Sequence, residues 1–570
     1  MAEEAKLPRE LIVIAKPDVG LRTQPATEGR VASVAAVNVT PLSDLLKSED
    51  VILQPLFGLS EERMLDRTAS LEKETGEKVP DLSGYYHVEA PDEHLDGLAE
   101  SLNQLDVVEA AYVKPPGEPP MATDEEMEVL NDMQPRSEEP PVVTPDFTSR
   151  QIYLNAAPAG IDARHAWTLS GGRGAGVKII DCEWGWHFTH EDLLQNQMGV
   201  VIGTSLSYSS DPTADTNANK AVNHGTAVLG VISGDRNAFG ITGICPDAIV
   251  GAARFGNSAQ TVRQAADKLL RGDIILLEIH RPGPRNNYQS RLDQRGYIAI
   301  EWWPDDFDAI RYAISKGIIV VEAAGNGAEN LDDALYNTRP AGFPASWRNP
   351  FNPANPSSSA VVVGAGAPPP GTHGRNHGPD RSRLGFSNYG ARIDCQGWGR
   401  EVTTTGYGDL QGGSSIHTNE WYTDRFSGTS SASPIVVGAL GCVQGILRAQ
   451  GGTLLTPAKA ISLLRSNGSP QQDAPGRPRT QRIGNRPNLR QLIPAVADAW
   501  QYNKRVIRTH AKNGSQMGWA IIEGSSWLRV RPKSADGVTN VFVILCEALA
   551  NNRRADVYVR NGQIEQATLR

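Results

Sequence analysis

The chain has 570 residues, 39% of them hydrophobic and 21% charged, and a formal net charge of −10 with histidine neutral. That length asks for more than one domain, and the composition is that of a globular chain with a large core. The acidic balance argues against a nucleic-acid partner. Five scattered cysteines without C-x-x-C spacing suggest neither a disulfide framework nor a zinc site. No stretch reads as a membrane span. The acidic start Met1-Ala-Glu-Glu lacks a following apolar run, so no secretory signal is expected and a cytoplasmic location is.

Leu11–Ala15, Tyr85–Glu89 and Val107–Val113 read as strands. Asp92–Leu105 carries leucines at 95, 98, 102 and 105, which is helical spacing with one apolar face. A small α+β domain over 7–115 follows. From 116 to 148 the chain turns proline-rich and acidic, with Pro115-Pro-Gly-Glu-Pro-Pro120 and Glu138-Glu-Pro-Pro141 at its borders. That composition predicts an exposed linker.

Between 149 and 500, continuous apolar runs alternate with helical patterns. The runs are Val177–Ile180, Ile274–Leu277, Ile318–Val321 and Val361–Val363, and the helical patterns include 261–270 and 306–315. Strands without polar alternation are buried on both faces, which predicts a doubly wound parallel sheet with helices on either side. After Trp500 the pattern becomes short alternating strands, Val541–Leu545 among them. A small all-β sandwich over 501–570 is expected.

Three places in the middle domain carry chemistry. Asp181 ends the run Val177–Ile180, at the strand edge where parallel sheets build sites. His224 opens the sequence His-Gly-Thr-Ala-Val-Leu-Gly, which reads as the first turn of a tightly packed helix. Ser430 lies in Gly428-Thr-Ser-Ser-Ala-Ser-Pro434, ahead of an apolar helix whose free N–H groups favour developing negative charge. An acid, a base and a hydroxyl nucleophile in this order supply every part of an activated-serine triad.

On Ile179-Ile-Asp181, Asn223-His-Gly-Thr226 and Gly428–Pro434 the chain resembles the subtilases, over roughly 150–470. The resemblance implies the subtilisin-like fold and serine endopeptidase activity on polypeptides. It makes Asp181 the orienting acid, His224 the base and Ser430 the nucleophile. Asn326, in Ala323-Ala-Gly-Asn, becomes the oxyanion donor. Glu278, Ile279 and His280 stand where the substrate-pairing strand is expected, with Ala323 and Gly325 opposite. Glu278 or Glu301 lining the pocket for the P1 residue, the one whose carbonyl is attacked, predicts a preference for basic residues there. Cys182 follows Asp181, and its thiol is expected either near His224 or simply buried.

No cofactor is expected for catalysis, although Asp192 and Asn237 match positions that some subtilases use for structural calcium. The N-terminal domain resembles a subtilase propeptide, which implies a partner in cis and cleavage between about Lys114 and Arg150. The C-terminal domain resembles BACON-type domains, whose implied ligand is a protein or carbohydrate. A catalytically silent binding protein and a transpeptidase or cyclase are the alternative readings.

Overall fold

The computed structural model describes residues 7–24, 30–120, 143–413, 417–497, 499–513, 517–523, 525, 527–560 and 562–570. Most of the expected linker, 121–142, lies outside them.

Seven parallel strands form the central sheet: β1 (Lys178–Glu183), β2 (Gln197–Ile202), β3 (Ile249–Arg254), β4 (Ile274–Leu277), β5 (Ile319–Ala323), β6 (Val361–Gly366) and β7 (Cys395–Trp398), in the order β7-β6-β5-β4-β1-β3-β2. The order reverses between β1 and β4, and ligands of open parallel sheets gather at the C-terminal strand ends beside such a reversal. Alternate residues of each strand serve two cores. Ile179, Ile274, Leu276, Ile319 and Val321 pack into one cluster, while Ile180, Ile275, Leu277 and Val320 pack into another on the opposite face. This two-sided burial explains why the strands read as unbroken apolar runs.

Helices α1 (Asn217–Ser233) and α2 (Thr429–Ala449) cover the first face. By length and hydropathy α2 could cross a membrane, contrary to the sequence expectation, but it is wholly buried as the core helix of this domain. Helix α1 begins two turns earlier than expected, capped by the Thr216 hydroxyl accepting from Asn219 N–H. His224 therefore stands in mid-helix instead of in its first turn.

The N-terminal unit is a four-stranded antiparallel sheet in the order 53–55, 85–88, 10–15, 108–114. One face carries Leu11, Val13, Tyr86 and Val88 against its own helices. The other carries Ile12, Ile14, Tyr85 and Tyr112 into the cluster that holds Ala259, Val262, Ala309 and Ile310. Those last four belong to the helices Ser258–Lys268 and Pro304–Ser315 of the unit built on the central sheet. The N-terminal unit continues, beyond its last strand, into Pro115–Pro120, which runs on past His280 to Ser430.

Residues 499–569 form a closed five-stranded barrel with its own core, Val506, Ile522, Leu528, Val557 and Ile564 among it. The expected strand Val541–Leu545 is instead part of a helix, Ala535–Ala550. Ser534 caps it by accepting from Gly537 N–H, and Val538, Leu545 and Ala548 bury a helical stripe against the strands. Packing of that stripe outweighs the β preference of Val-Phe-Val-Ile.

Candidate active site

Ser430 is the second residue of α2, and Gly428 caps that helix at φ 98°. A side chain at 428 would stand 2.9 Å from the Pro120 carbonyl oxygen, so both the dihedral and the close approach demand glycine. The Ser430 hydroxyl donates to that carbonyl at 2.9 Å, and the Asn326 amide Nδ2 donates to it at 2.7 Å. Asn326 Oδ1 accepts from Thr429 N–H and Oγ1 at 3.0 and 2.9 Å, which fixes the amide with its donor toward Pro120. Two residues before Pro120, Glu118 exchanges both backbone hydrogen bonds with His280, at 3.1 and 3.0 Å. The stretch Gly117–Pro120 thus lies in the cleft as an added antiparallel strand.

His224 Nδ1 meets Glu183 Oε2 at 2.6 Å. Asp181, expected in that role, instead accepts from the Trp186 indole N–H at 2.7 Å. Period-two geometry explains how both acids are available: 179, 181 and 183 share the sheet face covered by α1, and Glu183 is one step nearer the strand end. Cys182 points to the opposite face, into the apolar cluster there, so the buried reading of its thiol holds. Gly225 lets α1 press on this corner, since a Cβ there would stand 2.3 Å from the Gly185 carbonyl oxygen.

Burial dominates the electrostatics. It raises Asp181, Glu183 and Glu278 well above the usual carboxylate range and lowers His224 to about 3. Asp181 and Glu183 also interact with each other, and each retains one buried oxygen without a conventional donor, Oδ1 and Oε1. The Glu183 charge further raises Asp181, whereas the Asp181 hydrogen bond lowers Glu183, so ionisation of the pair falls first on Glu183. His224 is neutral, the form a base requires, and its Nε2 is buried without a hydrogen-bond partner. The Phe426 ring braces the imidazole edge-on at 5.5 Å.

Of the two acids expected at the P1 pocket, Glu301 is engaged in an ion pair, while Glu278 keeps one buried oxygen, Oε2, without a partner. Glu301 is held by both Arg392 Nε and Nη2, at 2.7 and 2.8 Å, and by Ser358. Glu278 accepts from the Ser433 hydroxyl. Ile279 lies against Gly117, where a Cβ would come within 2.8 Å of its Cδ1. Ala323 ends β5, and Gly325 follows at φ 94°. Three participants escaped the sequence reading: Glu183, Tyr297, whose hydroxyl donates to Glu118 Oε1 at 3.1 Å, and Gln294, whose amide donates to the Pro119 carbonyl at 3.1 Å. For Glu183 the signal was available in its even spacing from Asp181.

Asp192 and Asn237 do meet, but as acceptor and donor. Asn237 Nδ2 gives its N–H to Asp192 Oδ1 at 2.6 Å, while Oδ2 takes Ile241 N–H and the Tyr422 hydroxyl. Among the described residues no group of three or more histidines, cysteines or acids could hold a metal ion.

The subtilase family profile matches residues 174–483, more than half of the chain. An extracellular protease of Xanthomonas campestris pv. campestris is 27% identical over 57% of this chain and 53% of its own length. Thermitase of Thermoactinomyces vulgaris is 28% identical over 54% of this chain and 85% of its own. Among solved structures, fervidolysin from Fervidobacterium pennivorans superposes with a TM-score of 0.48 at 13% identity, covering 93% of this chain and 69% of that one. The chain belongs to the subtilase family, the subtilisin-like serine peptidases.

Proposed function

We propose that this protein is a serine endopeptidase made as a precursor that holds its own cleft closed, with Ser430 as nucleophile, His224 as base and Glu183 as the carboxylate that orients His224. The observation that carries the reading is the Pro120 carbonyl, which accepts from both Ser430 Oγ and Asn326 Nδ2 while Glu118 pairs with His280. A carbonyl so held is placed for attack, and the Asn326 amide is already aimed where negative charge develops.

In the reaction, Ser430 Oγ adds to the carbonyl carbon and its proton passes to His224 Nε2. Glu183 holds the N–H on Nδ1, so Nε2 is the free acceptor, and the Asp181–Glu183 charge balances the imidazolium. The C–N bond breaks as His224 returns the proton to the leaving nitrogen. Water then adds to the acyl ester, giving its proton to His224, and Ser430 leaves as the hydroxyl. One water is consumed, and a carboxylate and an amine are formed.

The test is the intact mass of the purified wild type and of Ser430→Ala. The wild type is expected in pieces whose masses sum to the chain plus one water for each bond cut, and the variant as one uncut chain. Identical uncut chains would remove self-processing, and pieces joined to another amine would point to transpeptidation.

A further inference from the structure

The wall around Pro120 carries information about which residues this cleft accepts. Pro120 lies between the segment Glu278–His280, which pairs with Glu118, and the loop 323–326, which supplies Asn326. A hairpin, His280–Pro282 with Tyr297–Ala299, folds residues 294–297 onto the loop. Gly296 N–H donates to the Gly327 carbonyl at 2.9 Å, and Asn388 Nδ2 holds the Tyr297 carbonyl at 2.8 Å. A Cβ added at Gly327 would stand 2.1 Å from that Tyr297 oxygen. One added at Gly325 would meet Asn388 Nδ2 at 2.9 Å, and His280 Nδ1 and the Tyr297 oxygen at 3.4 Å each. The His280 ring packs on the Tyr297 ring at 4.8 Å. Of the two acids near this wall, Glu301 is held by Arg392, while Glu278 accepts from Ser433 through Oε1 and keeps Oε2 buried without a partner.

The polar contacts that remain are to the main chain and to one acid. Gln294 reads the Pro119 carbonyl, and Tyr297 hydrogen-bonds the Glu118 carboxylate. Proline suits both of the last two positions. It has no N–H to leave unsatisfied against a buried wall. A Pro-Pro pair also holds itself extended, because the residue before proline is pushed into the β or polyproline region. Such a strand loses little entropy on docking. The same three residues, Glu-Pro-Pro, recur at 139–141 on the far side of the linker.

We infer that this cleft is selective for proline at the residue whose carbonyl is attacked, in the setting Glu-Pro-Pro, with Gln294 and Tyr297 reading the Pro119 carbonyl and the Glu118 carboxylate. It rests on the peptidase reading above and deepens it to a substrate class: proline-rich polypeptides with an acidic residue two places before the proline at the cut. Its own first substrate is the bond that follows Pro120. Ser430 Oγ bonds to the Pro120 carbonyl carbon, the bond to the Met121 nitrogen breaks, and His224 carries the hydroxyl proton to that nitrogen. Water then releases a Pro120 carboxylate. The 139–141 copy offers the same sequence to a second molecule.

The experiment is N-terminal sequencing of the freshly purified full chain beside Ser430→Ala, with Pro120→Phe and Pro120→Lys followed in time. New N-termini at Met121 or Val142 are expected, both lost in Ser430→Ala. Each Pro120 variant is expected to slow release at 121 at least tenfold. If wild type and Ser430→Ala are equally uncut, the peptidase reading itself fails. If cutting requires Ser430 but begins at other residues, or if Pro120→Phe is cut as fast as wild type, the peptidase reading stands and the proline selectivity is overturned.

Discussion

Glu183 and Asp181 divide between them what a single aspartate was expected to do. Glu183 meets His224 Nδ1 at 2.6 Å, and Asp181 stands behind it on the Trp186 indole at 2.7 Å. The sequence motif marks the strand end correctly but does not distinguish two acids on one face, because their reach is decided by one methylene and one pleat. Removing the carboxylate charge that touches the imidazole costs tautomer and orientation together. Glu183→Gln is therefore expected to slow self-cleavage by about 10³–10⁴-fold. Asp181→Asn keeps a hydrogen-bonding group on Trp186 and loses one neighbour of the pair, which at about 1 kcal/mol is about fivefold. Rates followed by gel across pH 4–9 check both effects. The reverse ranking, with Asp181→Asn the more damaging, restores the assignment read from the motif.

At the scale of elements, the proposed self-processing makes the contact between the N-terminal sheet and the helices Ser258–Lys268 and Pro304–Ser315 the feature that would set how long the cleft stays closed after cutting. Its apolar part was half legible: the alternation in Leu11–Ala15 announces two buried faces, but not which neighbour covers the second. Its polar part was not legible, because it joins residues about 190 apart in the chain. Lys114 Nζ reaches Asp305 and Asp306 at 2.6 and 2.9 Å, both wholly buried, and the Tyr85 hydroxyl donates to Asp308 at 2.5 Å. Asp306 and Asp308 are pushed up from the ordinary 3.8 to about 6, in each case chiefly by burial. A raised carboxyl holds its proton in the docked state over a range where the undocked one has lost it. Docking is therefore strongest at acid pH and weakens as pH rises through 6, by about tenfold per group between pH 5 and 8. Co-elution of the cut N-terminal piece with the catalytic piece is expected to be fuller at pH 5 than at pH 8. Lys114→Met leaves Asp305 without its cation and Asp306 with Arg281 at 4.0 Å, at a cost of about 3–5 kcal/mol to the docked state. Release that is faster at pH 5 than at pH 8 would overturn this account.

At the scale of the whole molecule, the cores set which parts unfold together. The second face of the N-terminal sheet shares one apolar cluster with β1, β4 and β5 of the catalytic unit, so Ile12 and Ile14 lie in the same core as Ile180 and Ile275. The barrel has a separate core, Val506, Ile522, Val557 and Ile564 among it. It adjoins the rest near the helix Leu489–Val496, where Gly562 lies against the Ala495 carbonyl, 2.3 Å from where its Cβ would be. The composition marked the boundary near residue 500, but the alternating runs hid the helix Ala535–Ala550, whose stripe becomes apparent only against a closed barrel. Cooperative unfolding follows a contiguous core. Calorimetry of the uncut Ser430→Ala chain is therefore expected to give two transitions, one for the N-terminal and catalytic units together and a smaller one for the barrel. A Ser430→Ala chain ending at Ala497 is expected to lose the smaller transition and keep the larger within a few degrees. A single transition for the full chain, or collapse of the larger one when the barrel is removed, would show that the barrel is part of the main core.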